Sequence, residues 1–449
     1  MTKNNILAAV LCLLCSIGRA QENGITLQQC LDLSRTGSVT VLNSALDVRA
    51  AKARKTEALT LWFPTVSASA YGFHALDPFL KIGLDDVLGN GEIANKFIYY
   101  AEPLLKDLGL KTEWNALNNG YVASVNVSQP LFAGGRIANG NALAALGVKA
   151  ADAKNRMAVR DNDDAVTGKY WMVVALSEKR KALQQAVDLV SALENDVKSA
   201  VGAGVARESD LMQVRLKAKD LESKMIQLRS GERLAKMDLF NTVGLPYKVL
   251  EIDGMVLSDD FDGLLPPEQY YSDEAGVAAS LDESRLLEMS VEAKRLEKKM
   301  AVGESLPQVG VGASWGYGRI VGNPRMNGAV YAMVKVPLTD WWKTSRKIVR
   351  CNAELEKAQN EKEFLDRQLV LKVDKEWIDL KCAWEKMKVA EESIALAETI
   401  ERQKRSEYDA GLCTLSELLQ CQTELQTGRS ALADAQAEYC TALSVWNKQ

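Results

Sequence analysis

Histidine occurs once in the chain, as His74, so a histidine-based triad, a poly-histidine metal centre and most general-base chemistry lack raw material. Six cysteines follow residue 20: Cys30, Cys351, Cys382, Cys413, Cys421 and Cys440. They form no CxxC pair and no compact disulfide framework, and five fall in segments read as long helices, where a small half-buried side chain is the plain account. What keeps a chemical signature is a pair of glycine turns. Gly204-Val-Ala-Arg-Glu-Ser209-Asp210-Leu211-Met-Gln213 matches Gly411-Leu-Cys-Thr-Leu-Ser416-Glu417-Leu418-Leu-Gln420. In each, the glycine takes positive φ cheaply and ends one helix. Ser209 and Ser416 suit the first turn of the next helix, and the dipole there favours Asp210 and Glu417. The carboxylates therefore have two readings: helix-start chemistry alone, or an acidic site at the tip of a helix-turn-helix. No nucleophile–base pair or metal cluster accompanies them, so no enzyme activity, metal or cofactor is expected.

The elements that carry these turns follow from what the sequence omits. Proline occurs ten times in 449 residues, yet never between Pro130 and Pro246 or after Pro337. An interior proline costs about 3 kcal/mol in a helix, so both gaps leave room for very long ones. Arg136 to Val201 would span on the order of 100 Å at 1.5 Å per residue, too long for a compact globule. Leu183, Val187, Val190, Val197 and Val201 keep to one face, as do Leu369, Val373, Trp377, Leu380, Trp384 and Met387, which predicts coiled-coil-like seams. The halves also repeat. The period-two segments ending at Pro130-Leu131 and Pro337-Leu338 share an offset of 207 residues with the glycine turns (337 − 130 and 411 − 204). A third pair, Leu61-Trp-Phe-Pro64 to Tyr71 and Ser305-Leu-Pro307 to Trp315, is offset by 243 (307 − 64), which places 36 extra residues within Ala75 to Asn119. Each half thus reads helix, strand, strand, long helix, glycine turn, helix.

The strands alternate. Val309, Val311, Ala313, Trp315 and Tyr317 interleave with glycines and Ser314; Tyr121, Ala123, Val125 and Val127 oppose Ser124, Asn126 and Ser128; Val330, Ala332, Val334, Val336 and Leu338 share a face. Such alternation fits a soluble sandwich with its apolar side inward or a membrane barrel with it outward. Residues 1–20 read as a cleaved secretory signal, with Lys3, an apolar run from Ile6 to Ile17 and Gly18-Arg19-Ala20 before Gln21. Export makes the barrel available. Trp62-Phe63, Phe132 and Trp341-Trp342 stand where strands meet long helices, as aromatic residues do at a bilayer boundary. Losing Lys3 and Arg19 moves the formal charge from −4 to −6, which disfavours nucleic acid as a partner. No later run approaches the length of a transmembrane helix.

Signal peptide, duplicated strand-strand-long-helix halves and glycine turns together resemble the TolC family of outer-membrane efflux proteins. The specific matches are Gln129-Pro130-Leu131-Phe132-Ala133-Gly134-Gly135-Arg136, the two Gly…Ser-acidic-Leu turns, and Thr242-Val243-Gly244-Leu245-Pro246; Thr339-Asp340-Trp341-Trp342-Lys343 is a degenerate second copy of the first. The resemblance implies an α+β membrane protein: a homotrimer whose chains each give four strands to a 12-stranded barrel in outer-membrane lipid and helices to a periplasmic α-helical tunnel. It implies a first repeat over 21–243 with an extracellular insertion at 75–119, an equatorial or linker region at 244–280, whose Pro266-Pro267 and Asp-rich Ser258 to Asp262 suit a surface linker, and a second repeat over 281–449. The function implied is passive conduction, from a periplasmic adaptor and an inner-membrane pump to the exterior of a Gram-negative cell. The turns would form the periplasmic tip, with Gly204, Ser209, Asp210, Gly411, Ser416, Glu417 and Gln420 at its constriction. Gln420 stands where some members carry a second carboxylate, and Cys413 where a basic residue can stand, so a gate of charge pairs at those two positions is not expected. Trp62, Phe63, Phe132, Trp341 and Trp342 would mark the membrane interface. The alternative is a non-transport envelope protein with a coiled-coil stalk and a soluble sheet. The apolar groups of the insertion, Phe79-Leu80, Phe97-Ile98-Tyr99-Tyr100 and Leu104-Leu105, are expected to be buried as it folds over the barrel mouth.

Overall fold

The computed structural model describes residues 24–76, 80–89, 91–116, 119–245, 252, 255–319, 323–338 and 340–448. Residues 1–20, read above as a secretory signal, lie outside them, as do Phe79, Pro246 and Thr339. In chain order the elements are α1 (Leu27–Gly37), α2 (Val39–Thr60), β1 (Thr65–His74), β2 (Leu80–Gly83), α3 (Leu84–Leu88), α4 (Glu92–Asp107), β3 (Glu113–Ala116), β4 (Asn119–Ala133), α5 (Arg136–Gly202), α6 (Glu208–Val243), α7 (Glu274–Ser280), α8 (Asp282–Gly303), β5 (Gln308–Arg319), β6 (Arg325–Lys335), α9 (Asp340–Asp409) and α10 (Leu415–Asn447). Helices α5 and α9 run for 67 and 70 residues, as the proline gaps predict. Two compact units result. One comprises Met1–Lys52, Gly147–Val291 and Ala358–Gln449; the other comprises Ala53–Leu146 and Glu292–Lys357.

The first unit is helical, and its core consists of seams. Leu183, Val190 and Val197 of α5, one heptad apart, are buried with Val214 and Leu221 of α6 and Leu415 and Leu418 of α10. Val373, Trp377, Leu380 and Met387 of α9 bury against Tyr439 and Trp446 of α10. Both seams are those the apolar spacing predicts. A third cluster gathers Val166, Tyr170 and Val173 of α5 with Leu239 and Phe240 of α6 and Cys440 of α10.

The segment expected as a surface linker is fixed into this core instead. Ile252, Phe261 and Pro267 are buried, and the Phe261 ring stacks on Trp171 at 5.4 Å. Asp259 accepts the Leu27 N–H at 2.7 Å across 232 residues of sequence. Trp446 donates to the Tyr270 carbonyl at 2.7 Å, and Tyr439 to that of Leu265. Carboxylates that look solvated in the sequence therefore satisfy a helix N-terminus, and polar composition misleads.

The second unit holds a four-stranded antiparallel sheet of order β1-β4-β5-β6. A bulge between Pro130 and Phe132 shifts the β4–β5 register. The turn from β4 into α5 needs Gly134: its φ is +65°, and a Cβ there would stand 2.0 Å from the Gly303 carbonyl oxygen. The two-stranded β2–β3 hairpin, α3 and α4 form the insertion.

Candidate functional site: an apolar sheet face and a two-turn acidic tip

Register assigns the faces of the sheet. On one, Val66, Val127, Ala313 and Val330 align across the strands, with Ala68, Val125 and Trp315 in the next row. Among the described residues nothing covers it: Trp315 is 61% exposed and Val330 87%. The opposite face is polar and internally bonded. Asn126 donates to Ser69 at 3.1 Å, Ser314 donates to Asn126 at 2.8 Å, and the Ser69 and Ser124 hydroxyls meet at 3.2 Å. An apolar face this open is costly in water, whereas a bilayer satisfies it. Val309 to Arg319 spans ten residue steps, about 33 Å of strand at 3.3 Å per residue and about 25 Å in height at a tilt near 40°. That matches the apolar band of an outer-membrane barrel.

Aromatic residues bracket this band. Trp62 and Phe63 stand between α2 and β1, Phe132 at the end of β4, and Trp341 and Trp342 in the first turn of α9. All five are exposed, from 46% at Phe132 to 88% at Trp342. The Trp341 indole N–H donates to the Ser305 carbonyl at 3.2 Å, and the backbone carbonyl of Trp62 accepts from the Gln129 side chain at 3.0 Å. At the far end the Tyr121 and Tyr317 rings sit 6.4 Å apart.

In the helical unit, the two glycine turns lie at one end. Gly204 and Gly411 have φ of +79° and +73°. Each closes a Schellman motif: Val205 donates to Ala200 and Gly204 to Val201, as Leu412 does to Glu407 and Gly411 to Tyr408. No heavy atom lies within 4 Å of a Cβ added at either, so glycine is required for backbone conformation and not for space. Leu211, Tyr408, Leu415 and Leu418 join one apolar cluster, which brings the turns together. Arg405 reaches Asp196 at 3.5 Å between α9 and α5.

Ser209 and Ser416 both stand in the first turn of the following helix. Arg207 and Thr414 are the N-cap residues, which puts Ser209 and Ser416 one step inside their helices. Asp210 closes the first start, its carboxylate accepting the Arg207 N–H at 3.2 Å. The second is closed by Thr414, whose hydroxyl accepts from the Glu417 N–H at 3.3 Å. Glu417 is left to pair with Lys404 at 3.6 Å. Lys404 also binds Glu407 at 2.8 Å, which holds the Glu407 carboxyl below its ordinary value. Cys413 lies in the turn, not in a helix; partial desolvation, the Glu417 hydrogen bond and its charge raise the thiol's pKa. Gln420 donates along its own helix to Glu424 at 3.0 Å. All six cysteines are free.

A third polar assembly has no clear mark in the sequence. Arg156 holds Asp282 at 2.8 Å, Arg160 holds Glu283, and Lys372 reaches both Glu283 at 3.5 Å and Glu376 at 3.9 Å. Burial pushes the Glu376 carboxyl up, and its Oε2 has no partner among the described residues. The four-residue spacing of Arg156 and Arg160 was the one available hint, and it reads equally well as a solvated face.

Residues 285–444 match the model of the family described as outer membrane efflux protein. The match spans 160 of the 449 residues, and over that stretch the chain is similar to that family. Solved structures share its fold along almost its whole length. The outer membrane protein VceC from Vibrio cholerae aligns with a TM-score of 0.72 at 14% identity, covering 94% of both chains. The outer-membrane channel OprN gives 0.74 at 16%, over 94% of this chain and 89% of that one. The CmeC outer membrane channel of Campylobacter jejuni gives 0.72 at 13%, over 94% and 84%. No curated protein matches the chain by sequence.

Proposed function

We propose that three copies of the chain close a 12-stranded barrel, four strands from each, and together form the exit duct of a tripartite efflux or secretion system. The observation that carries this reading is the sheet itself. It has an uncovered apolar face, a hydrogen-bonded polar face, and two open edges, β1 and β6. A bilayer does not tolerate open edges, so the strands need partners from other copies. Conduction is passive: the polar face lines the pore, and energy comes from an inner-membrane pump reached through a periplasmic adaptor. Residues 21–243 and 281–449 are two copies of one unit around 244–280, with 75–119 inserted in the first; the shared 207-residue offset supports this.

The helix-turn-helix end is the periplasmic tip, where Gly204, Ser209, Asp210, Gly411, Ser416, Glu417 and Gln420 frame the constriction. Three copies bring up to six carboxylates near one axis, where like charges repel unless cations screen them. Trp62, Phe63, Phe132, Trp341 and Trp342 anchor the barrel at its inner interface. The test is extraction followed by conductance. The protein should sediment with the outer membrane, require detergent for release, migrate as a heat-sensitive trimer on unheated gels, and open ion-conducting channels in a planar bilayer. Release by carbonate without detergent, as a monomer, would instead fit the structural envelope protein.

A further inference from the structure

The insertion does not bury its apolar residues within the chain. Helix α4 carries two adjacent apolar stripes. Ala94, Ile98, Ala101 and Leu105 are partly covered, whereas Ile93, Phe97, Tyr100 and Leu104, spaced i, i+4, i+7 and i+11, are 87%, 58%, 75% and 65% exposed. The expectation of burial under a cap thus fails for a single copy. The reason is size: α3 has five residues and each hairpin strand four, enough to cover one stripe. Leu108 continues the open stripe past the helix end, at 67% exposure. The charges lie elsewhere and pair among themselves, Lys96 with Glu92 at 3.3 Å and Lys106 with Glu102 at 2.7 Å.

We propose that this stripe packs against the same stripe of other copies, so that three α4 helices form an apolar collar restricting the outer mouth of the duct. The inference rests on the trimeric duct proposed above and adds a contact outside the membrane. Three observations favour a second copy over lipid. The insertion leaves β1 at His74, and β1 is an edge strand of the sheet, so it starts at the seam where a neighbouring copy must pair. Its charge is wrong for an anionic membrane surface: 75–119 holds seven acidic residues and four lysines, whereas interfacial helices carry basic polar faces. The stripe is also large enough, since each aromatic ring offers roughly 150–250 Å² and a stable interface takes about 800 Å² per partner. Phe97 and Tyr100 with Ile93, Leu104 and Leu108 supply most of that value in each copy.

The test is cysteine substitution in intact cells. Phe97→Cys, on the open stripe, should give disulfide-linked dimers under mild oxidant and react slowly with a membrane-impermeant maleimide. Lys96→Cys, on the polar side, should label at least tenfold faster and give no dimers. If Phe97→Cys labels as fast as Lys96→Cys, in a chain that still runs as a trimer, the collar is refuted and the duct stands. Quenching of a fluorophore at position 97 by brominated lipid would overturn the collar in favour of a membrane-lying helix. If the unsubstituted protein forms no trimer, both the duct and the collar fall. A second reading comes from Ile93→Ser with Phe97→Ser and Leu104→Ser, all on the exposed side and so compatible with folding. Its single-channel conductance should rise by half or more; unchanged conductance in an intact trimer refutes the restriction.

Discussion

Val330→Arg is the sharpest test of the sheet's facing. Val330 pairs with Ala313, which pairs with Val127, and Ala313 lies midway between Val309 and Tyr317. This row is therefore the midplane of the apolar band, and Val330 is 87% exposed there. A cation at the midplane of an outer-membrane barrel costs about 2–4 kcal/mol, falling to about 0–1 near the interfaces. In the proposed barrel the substitution would occur three times, so the trimer would lose about 6–12 kcal/mol, comparable with the whole stability of many domains. Val311 lies two residues along the same face, about 5 Å nearer the interface once 3.3 Å per residue is corrected for tilt. Val311→Arg should therefore cost less than Val330→Arg, and Val311→Leu almost nothing.

The control is next door. Ala329 pairs with Ser314 on the polar face, and Ala329→Arg projects into water if the facing is right. The assay is the yield of trimer in the outer membrane on unheated gels, with the urea midpoint of protein refolded into vesicles as the quantitative measure. Val330→Arg should lose most of its trimer, Val311→Arg a part, and Ala329→Arg little. Normal assembly of Val330→Arg alongside failure of Ala329→Arg would mean that the apolar face points inward, and the barrel argument would collapse.

Other expectations concern the tip, the topology and the central ion cluster. Asp210→Asn with Glu417→Gln should lower the cation preference of the channel, or abolish its block by divalent cations, while trimer stability stays within about 1 kcal/mol; unchanged selectivity would leave both as helix-start residues. Protease added to intact cells should cut only within 75–119 or the loop between β5 and β6, and cleavage in α5 or α9 would contradict the topology. Glu376→Gln should stabilise the protein at pH 7 by about 1 kcal/mol, because a buried carboxylate oxygen without a partner carries a desolvation cost. Burial raises the folded-state pKa of Glu376, so its charge destabilises above that value. The gain should vanish as pH falls into the ordinary glutamate range, which thermal melts at pH 7 and pH 4 would reveal.

Long-period features were legible in the sequence. Proline gaps and apolar residues at helical spacing located α5 and α9 because helix geometry repeats locally, and period two located β4, β5 and β6 for the same reason. Non-local contacts were not legible. Asp259 resembles any solvated aspartate until it is seen holding the Leu27 N–H, and nothing near Tyr270 announces Trp446. At the tip the glycines were readable, but Thr414, which caps the second helix, was not singled out. The pattern Thr414-x-x-Glu417 was the available signal, since a threonine three residues before glutamate marks a helix start. In the insertion the apolar content was plain, and its division into two stripes was not, because only the short hairpin and α3 decide which one is covered.

The two turns share backbone geometry while dividing their chemistry. Both close with a glycine at positive φ and the same pair of Schellman bonds. In the first, the carboxylate of Asp210 is engaged by its own helix start. In the second, the neutral hydroxyl of Thr414 does that work, which frees Glu417 for Lys404. A charge committed to a backbone N–H is held in place at any ionic strength, whereas an exposed pair at 3.6 Å weakens as salt rises. Repetition therefore gives two turns of the same backbone geometry with unequal electrostatics. Asp210 is the carboxylate tied to its helix start, and Glu417 is the one whose exposed pair with Lys404 weakens as salt rises.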